Sequence, residues 1–407
     1  MPEWLWLGLG LGFGIALGPL SKKATMAARL RRMLGCAAPI RVAPWPDLPP
    51  ELLGLVLLRM PSRADRVRVC AVCRSWRSGA RLQPPTPLLP WFALREGNFL
   101  SLPDGAVHRM PVPDCGDVRY RVSTGSMLFL VDHDGRCSLM SPSSGKTIPL
   151  QINPDHLELR SHVDIRKVVV SDDLHTVAVL TTSKTNSKNV TVYALGPQGA
   201  TAMEWAPPVN SLALDIALFH GKLYVLTREH SGLLPELHVL EPRNTGIRSV
   251  QCIQRTHRDD DNVKRFFFYL VASGNRLLMV GRIVYPHPID SATPSQCFKV
   301  FQAADLSSGH GWWSKANTLM GHALFVSQGC SRSLAVGGQS VSGVAQQDCI
   351  YFMSERSVIS NIEEDFLNSC VYNIRDQTVG RLPLETFAPS GPSWGIWFPT
   401  WLFPAEV

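Results

Sequence analysis

Apolar positions follow two different rhythms along this chain, and the change falls near residue 90. Between Trp45 and Leu82 they recur at helical spacing. Asp47 stands as an N-cap before Pro49 and Pro50, whose missing N–H groups cost a first helical turn nothing, and Glu51 suits the positive helix end. Leu52, Leu53, Leu55, Val56, Leu57 and Leu58 then surround the helix instead of forming one stripe, so both faces need cover. Pro61 stops this helix, and Ser62-Arg63-Ala64-Asp65 has the form of a capping box opening a second one that runs to about Gly79. There Val69, Val72, Cys73 and Trp76 fall three and four apart and predict an apolar stripe. About forty residues bury little surface alone, which predicts a docking module whose second face meets a partner.

From Trp91 onward the rhythm is that of strands. Short apolar runs recur at Met127–Val131, Cys137–Met140, Thr176–Leu180, Val190–Tyr193, Ile216–Phe219, Lys222–Leu226, Leu237–Leu240, Phe267–Val271, Arg276–Val280, Phe298–Phe301, Ala323–Val326, Ile350–Met353 and Cys370–Ile374. Asp132-His133-Asp134-Gly135, His220-Gly221 and Ser273-Gly274-Asn275 join neighbouring runs as hairpins, and Ser143-Ser144-Gly145 ends another strand. Adjacent strands are therefore expected to be mostly antiparallel. A loose repeat of about fifty residues, with Trp205 and Trp312-Trp313 in loops that close it, predicts propeller blades; a large sandwich is the alternative. The expected fold is α+β multidomain: a small all-α module followed by a large all-β antiparallel domain that is β-propeller-like. Its parts are an apolar then basic extension (1–44), disordered or outside the working protein, the helical module (45–82), a Pro-rich linker (83–90) and the β domain (91–404).

Charge sharpens this picture. The net charge of +7 suggests nucleic acid until it is located. Residues 1–85 hold thirteen Lys/Arg against four acidic residues, a surplus of nine, so the rest of the chain carries −2 and offers no overall basic field for phosphates. The basic module fits an acidic protein partner better, and no nucleic acid is expected. Ten dispersed cysteines lack the spacing of a disulfide scaffold, and Cys70-x-x-Cys73 has no second pair or histidine cluster at zinc spacing, so reduced thiols and packing are expected. Trp4 to Leu20 carries no charge, precedes Lys22-Lys23 and contains Gly10, Gly14 and Gly18 at the spacing of packed membrane helices. Three readings stand for it: an inert extension with Met26 as a second start, a weak anchor, or a targeting peptide.

Leu48-Pro49, Glu51-Leu52-Leu53, Val56, Leu57, Asp65 and Val72-Cys73-Arg74-Ser75-Trp76-Arg77 resemble an F-box. That resemblance implies a helical hook inserted into the Skp-type adaptor, and through it a cullin, of an SCF ubiquitin ligase. Carried over by position, Leu48, Pro49, Leu52, Leu53, Val56 and Leu57 face the adaptor, and Val72, Cys73 and Trp76 complete the surface.

A second resemblance lies downstream. Asp215-Ile216-Ala217-Leu218-Phe219-His220-Gly221-Lys222-Leu223-Tyr224, Trp313 to Leu319, Gly321 to Val326, Gly329-Cys330-Ser331, Asp348 to Phe352 and Pro399 to Pro404 look like the plant domain-of-unknown-function 295 family. Its members commonly follow an F-box and are described as F-box/kelch-like, which implies an architecture more than an activity.

Chemistry of an enzymatic kind is absent from the motifs. The β domain has no G-x-S-x-G elbow, P-loop, H-E-x-x-H or dinucleotide fingerprint in context. Asp132-x-Asp134-Gly135 lacks the later ligands of a calcium loop, and His310 and His322 beside Trp312-Trp313 read as loop or core histidines. No catalytic residue, metal or cofactor is assigned. The expectation is a non-catalytic substrate receptor of the cytoplasm or nucleus, holding a protein target with Trp312, Trp313 or the Asp259, Asp260, Asp261 loop. Its rivals are an adaptor-binding scaffold without ubiquitin transfer, and a membrane-anchored propeller acting as binding protein or hydrolase.

Overall fold

The computed structural model describes residues 45–60, 63–82, 90–93, 97–101, 107–110, 112–113, 118–142, 144–152, 163–183, 188–196, 199–229, 235–243, 246–253, 265–284, 296–308, 310–336, 345–353, 369–382, 396–397 and 400–403. The extension 1–44, Ser62, the spacer up to Leu89 and Asp259, Asp260 and Asp261 lie outside them.

The helical module has α1 (Pro50–Leu58), α2 (Arg63–Val72) and α3 (Arg74–Arg81), preceded by a 3-10 turn at Trp45–Asp47. Asp47 belongs to that turn and caps nothing: the N-cap of α1 is Pro49, with Pro50 supplying the preset φ of a first helical residue. The second expected helix is two. Cys73 stands between α2 and α3 in extended conformation, and its Sγ accepts from the Trp76 N–H, so it acts as a cap and not as a mid-helix packing residue.

The described strands form six sheets, each a blade. Blade 1 takes β1 (Trp91–Ala93), β2 (Asn98–Ser101) and β3 (Val107–Arg109) together with the last strand, β26 (Thr400–Leu402). Blade 2 has β4 (Tyr120–Thr124), β5 (Met127–Val131), β6 (Cys137–Met140) and β7 (Thr147–Leu150), with β25 (Ile396–Trp397) on the free edge of β4. Blade 3 is β8 (Val163–Val170), β9 (Thr176–Ser183), β10 (Lys188–Gly196) and β11 (Gly199–Trp205). Blade 4 is β12 (Ser211–Phe219), β13 (Lys222–Glu229), β14 (Glu236–Arg243) and β15 (Gly246–Ile253). Blade 5 is β16 (Arg265–Ser273), β17 (Arg276–Val284), β18 (Gln296–Ala304) and β19 (Trp312–Ala316). Blade 6 orders β21 (Arg332–Ala335), β20 (His322–Val326), β22 (Cys349–Phe352), β23 (Cys370–Asn373) and β24 (Val379–Arg381).

This is a six-bladed propeller, so the sandwich alternative falls. All thirteen apolar runs read as strands fall on strands, with Met353 and Ile374 one residue past the ends of β22 and β23, and His220 and Gly221 turn the β12–β13 hairpin with positive φ at both positions. The pairing is mostly antiparallel, as expected, with two parallel pairs among the described strands, β20 with β22 and β25 with β4. Trp205 and Trp312-Trp313 sit in β11 and β19, not in closing loops.

The core is divided among the seams. Separate buried clusters join blade 2 to 3 (Tyr120, Phe129, Ile165, Tyr193), 3 to 4 (Leu180, Trp205, Val225), 4 to 5 (Leu226, Leu270, Trp313) and 5 to 6 (Val280, Leu324, Phe352). Phe92, Phe325 and Trp401 fill the seam of blades 6 and 1, and Trp91, Leu128 and Leu402 that of blades 1 and 2. Each fully buried side chain of this size stabilises by roughly 1.5–3 kcal/mol, so stability is spread around the ring. Trp401 Nε1 donates to Val326 O while Trp401 O accepts from Ser123, which ties β26 to blades 6 and 2 and closes the circle.

The turn between β20 and β21 reaches the axis. A Cβ on Gly329 would lie 3.1 Å from Thr400 Oγ1 of blade 1 and 3.7 Å from Val122 of blade 2, while Gln328, with its amide oxygen facing blade 3, accepts from Arg166 at 2.6 Å. One loop can touch three other blades only at the centre of the ring.

Candidate adaptor interface

The hook sorts its apolar residues into an inside and an outside. Leu53 is 1% exposed and, with Leu57 and Val69, makes a small core against Leu48, Met60, Trp76 and Ala80. Gly79 permits this approach: its Cβ, were there one, would stand 3.1 Å from Leu53 Cδ2. Trp76 Nε1 donates to Trp45 O at 2.8 Å, with the two indoles edge to face, and Arg66 Nε donates to Met60 O at 2.7 Å. These bonds fix the helix corners. The exposed Arg68–Asp65 ion pair adds little, since both charges remain in water.

On the opposite side of α1, Leu52 (49% exposed), Leu55 (47%) and Val56 form a stripe at i, i+3 and i+4. Val67 and Val72 on α2 are also exposed, Val72 by 63%. So many large apolar side chains in water on so small a module are the mark of a docking face.

The expected contact set therefore divides. Leu52, Val56 and Val72 are exposed, as is Pro49; Leu48, Cys73 and Trp76 are half-buried; Leu53 and Leu57 point into the hook's own core. Those two leucines, adaptor-facing by the resemblance, lie in the hook's own core, because α3 folds back across that face of α1. Leu55 and Val67, outside that expected set, are exposed as well. The signal for Leu55 was its spacing of three and one from Leu52 and Val56. At Cys73, the Ser75 hydroxyl and the Trp76 N–H hold the thiol below its usual acidity range.

Of the propeller residues singled out in the sequence, the described ones are placed as follows, while Asp259, Asp260 and Asp261 lie outside the described residues. Trp313 is buried in the seam, and its Nε1 donates to Pro235 O at 3.0 Å, pinning blade 5 to blade 4. Trp312 is half exposed on β19. His310 Nδ1 lies 3.1 Å from Ser308 O, and His322 Nδ1 3.2 Å from Leu319 O, each engaged within its own loop. Among the described residues no group of three His, Cys, Asp or Glu is placed to hold a metal, and no helix is long and apolar enough to cross a membrane.

Sequence reasoning also missed the axis. Lys167 Nζ lies 2.8 Å from Asp215 Oδ1 and 2.9 Å from Oδ2, and both side chains are almost wholly buried. Asp215 further accepts from the N–H groups of Ile216 (2.8 Å) and Leu270 (2.7 Å). Burial pushes the Asp215 carboxyl up, and the ammonium and the two N–H donors oppose that shift. Each member of the pair follows a β-bulge, between Ile165 and Lys167 in β8 and between Ala213 and Asp215 in β12. A bulge re-aims the side chain that follows it, and here the two bulges bring opposite charges together.

A three-helix hook with exposed apolar side chains is thus carried on the same chain as a six-bladed propeller. Residues 99–373, more than half of the chain, match the KIB1-4 beta-propeller family, and the chain belongs to it. Residues 45–81 match the F-box-like domain. No curated protein matches. Solved structures with which it shares similarity include the S. cerevisiae complex of Dbp5 bound to Nup159, Gle1, IP6 and ADP (9% identity, TM-score 0.30, 57% of this chain and 62% of that one). The N-terminal domain of Nup159 gives 11%, 0.28, 71% and 73%, and the β-propeller domain of the Trilobed protease from Pyrococcus furiosus 8%, 0.29, 65% and 87%. At such scores the fold rests on the strand pairing itself.

Proposed function

We propose that this chain is the non-catalytic substrate-recognition subunit of an SCF-type ubiquitin ligase. The hook binds a Skp-type adaptor and through it a cullin, and the propeller holds a protein target near the ubiquitin-loaded enzyme, so its contribution is positioning. The plant F-box/kelch-like proteins with a domain of the 295 family are the group we place it with, working in the cytoplasm or nucleus. One observation carries the reading: Leu52, Leu55 and Val56 stay in water although Leu53 and Leu57 of the same helix already have a core. Exposed basic residues of the hook, among them Arg59, Arg74 and Arg77, suit an acidic partner surface.

The test is a pull-down of the full chain with a Skp-type adaptor beside the variant Leu52→Asp/Val56→Asp. Binding by wild type and its loss in the variant, with the propeller still folded, support the proposal. Absence of wild-type binding, or equal binding by both, overturns it. Adaptor binding without any target whose turnover depends on the chain would select the scaffold reading instead.

A further inference from the structure

Among the described residues, the seam of blades 3 and 4 has a feature the other seams lack. In β14, Leu240 belongs to the seam cluster, so His238 and Glu236, two and four residues before it, face blade 3 as well. Val225 of β13 pairs with His238 and Thr227 with Glu236, which puts Thr227 on the same face. Across the seam, Leu180 of β9 and Trp205 of β11 belong to that cluster, and Thr182 follows Leu180 by two. The Trp205 and His238 rings stand 6.0 Å apart.

Four polar atoms on these facing surfaces are buried without a hydrogen-bond partner: Thr182 Oγ1, Thr227 Oγ1, His238 Nδ1 and His238 Nε2. His238 is 4% exposed and Thr227 1%. The other hydroxyls in that condition among the described residues, of Tyr193, Ser273 and Thr400, sit singly on three separate blades. A buried polar atom left unpaired costs roughly 1–3 kcal/mol, so natural folds pair nearly all of them, with protein or with something bound. An apolar wall with a few convergent polar groups is the ordinary make-up of a small-molecule site.

We propose that the seam between blades 3 and 4 binds one small uncharged molecule carrying a hydroxyl or amide group, held by Thr182, Thr227 and His238 beside the Trp205 ring. A neutral imidazole offers one donor and one acceptor, and each threonine hydroxyl offers either, so the set matches a group that both donates and accepts. Burial keeps the imidazole in its neutral form, and Glu236, whose carboxylate lies 3.8 Å from His238 Nε2, stands at the more open end of the row. A fully charged ligand would lose its hydration against this apolar wall without a dedicated counter-charge at the hydroxyls.

The experiment is NMR of the full chain with the histidine rings labelled, titrated with N-methylacetamide and ethanol as probes and with acetate and methylammonium as charged controls. Expected are saturable shifts of the His238 ring signals with the amide or the alcohol, none with the charged controls, and loss of the response in Thr227→Val, which keeps the side chain's shape. His238→Phe, which keeps a ring in the seam, reports whether the blades stay packed when the polar group is gone. No saturable shift with either neutral probe, an equal response to the charged ones, or contacts from water alone to the ring would overturn the proposal.

Discussion

The Lys167 ammonium meets the Asp215 carboxylate at 2.8 Å between the inner strands of blades 3 and 4, and the same carboxylate accepts from the Leu270 N–H of blade 5. Three blades thus share one buried charge pair at the axis. Removing one partner leaves the other charge uncompensated, while removing both leaves mainly a packing defect. Asp215→Ala should therefore lower unfolding stability by about 3–5 kcal/mol, and Lys167→Met combined with Asp215→Leu by clearly less. Urea midpoints of the three proteins check this; equal losses for single and double variants would count against it.

His238 links the seam to pH. Burial lowers its pKa from 6.5 to about 4, so the folded state binds its proton less readily than the unfolded chain. The stability this contributes is present above pH 6.5 and is lost as pH falls toward 4, by about 3 kcal/mol in all. His238→Phe should flatten the stability profile in that window, measured as the denaturation midpoint at steps from pH 7.5 to 4.5.

In the hook, inside and outside leucines should behave differently. Leu53→Ala empties a site buried against Val69 and Gly79 and should cost about 2–5 kcal/mol, melting the hook. Leu52→Ala removes a half-exposed side chain and should change stability by less than about 0.5 kcal/mol while weakening adaptor binding. Helical circular dichroism of residues 45–82 on the full chain, read beside adaptor affinity, separates the two.

Gly311 joins β19 to the preceding blade by a bridge to Ile253. A Cβ there would press on the backbone oxygens of Cys252, Ala304 (2.7 Å) and Asp305 (3.0 Å), none of which can swing away as a side chain would. Gly311→Ala should cost about 1–3 kcal/mol, visible as a lower Tm with unchanged adaptor binding.

Much of this protein could be read from local pattern. Helix and strand periods, and turn residues such as His220-Gly221 and Ser273-Gly274-Asn275, act over a few neighbours, so the sequence by itself determined the helical hook and the thirteen strand runs. It also determined that α1 had apolar residues on every side. Which of them face inward was decided by tertiary structure, because the break at Cys73 lets α3 fold back on Leu53 and Leu57 and leaves Leu52, Leu55 and Val56 in water. The same holds for the propeller. The pairing of β26 with β1, the placing of Gln328 beside Arg166, and the meeting of Lys167 with Asp215 join residues far apart in the chain. Their partners are fixed only when the ring closes, and no short-range rule of spacing carries that information.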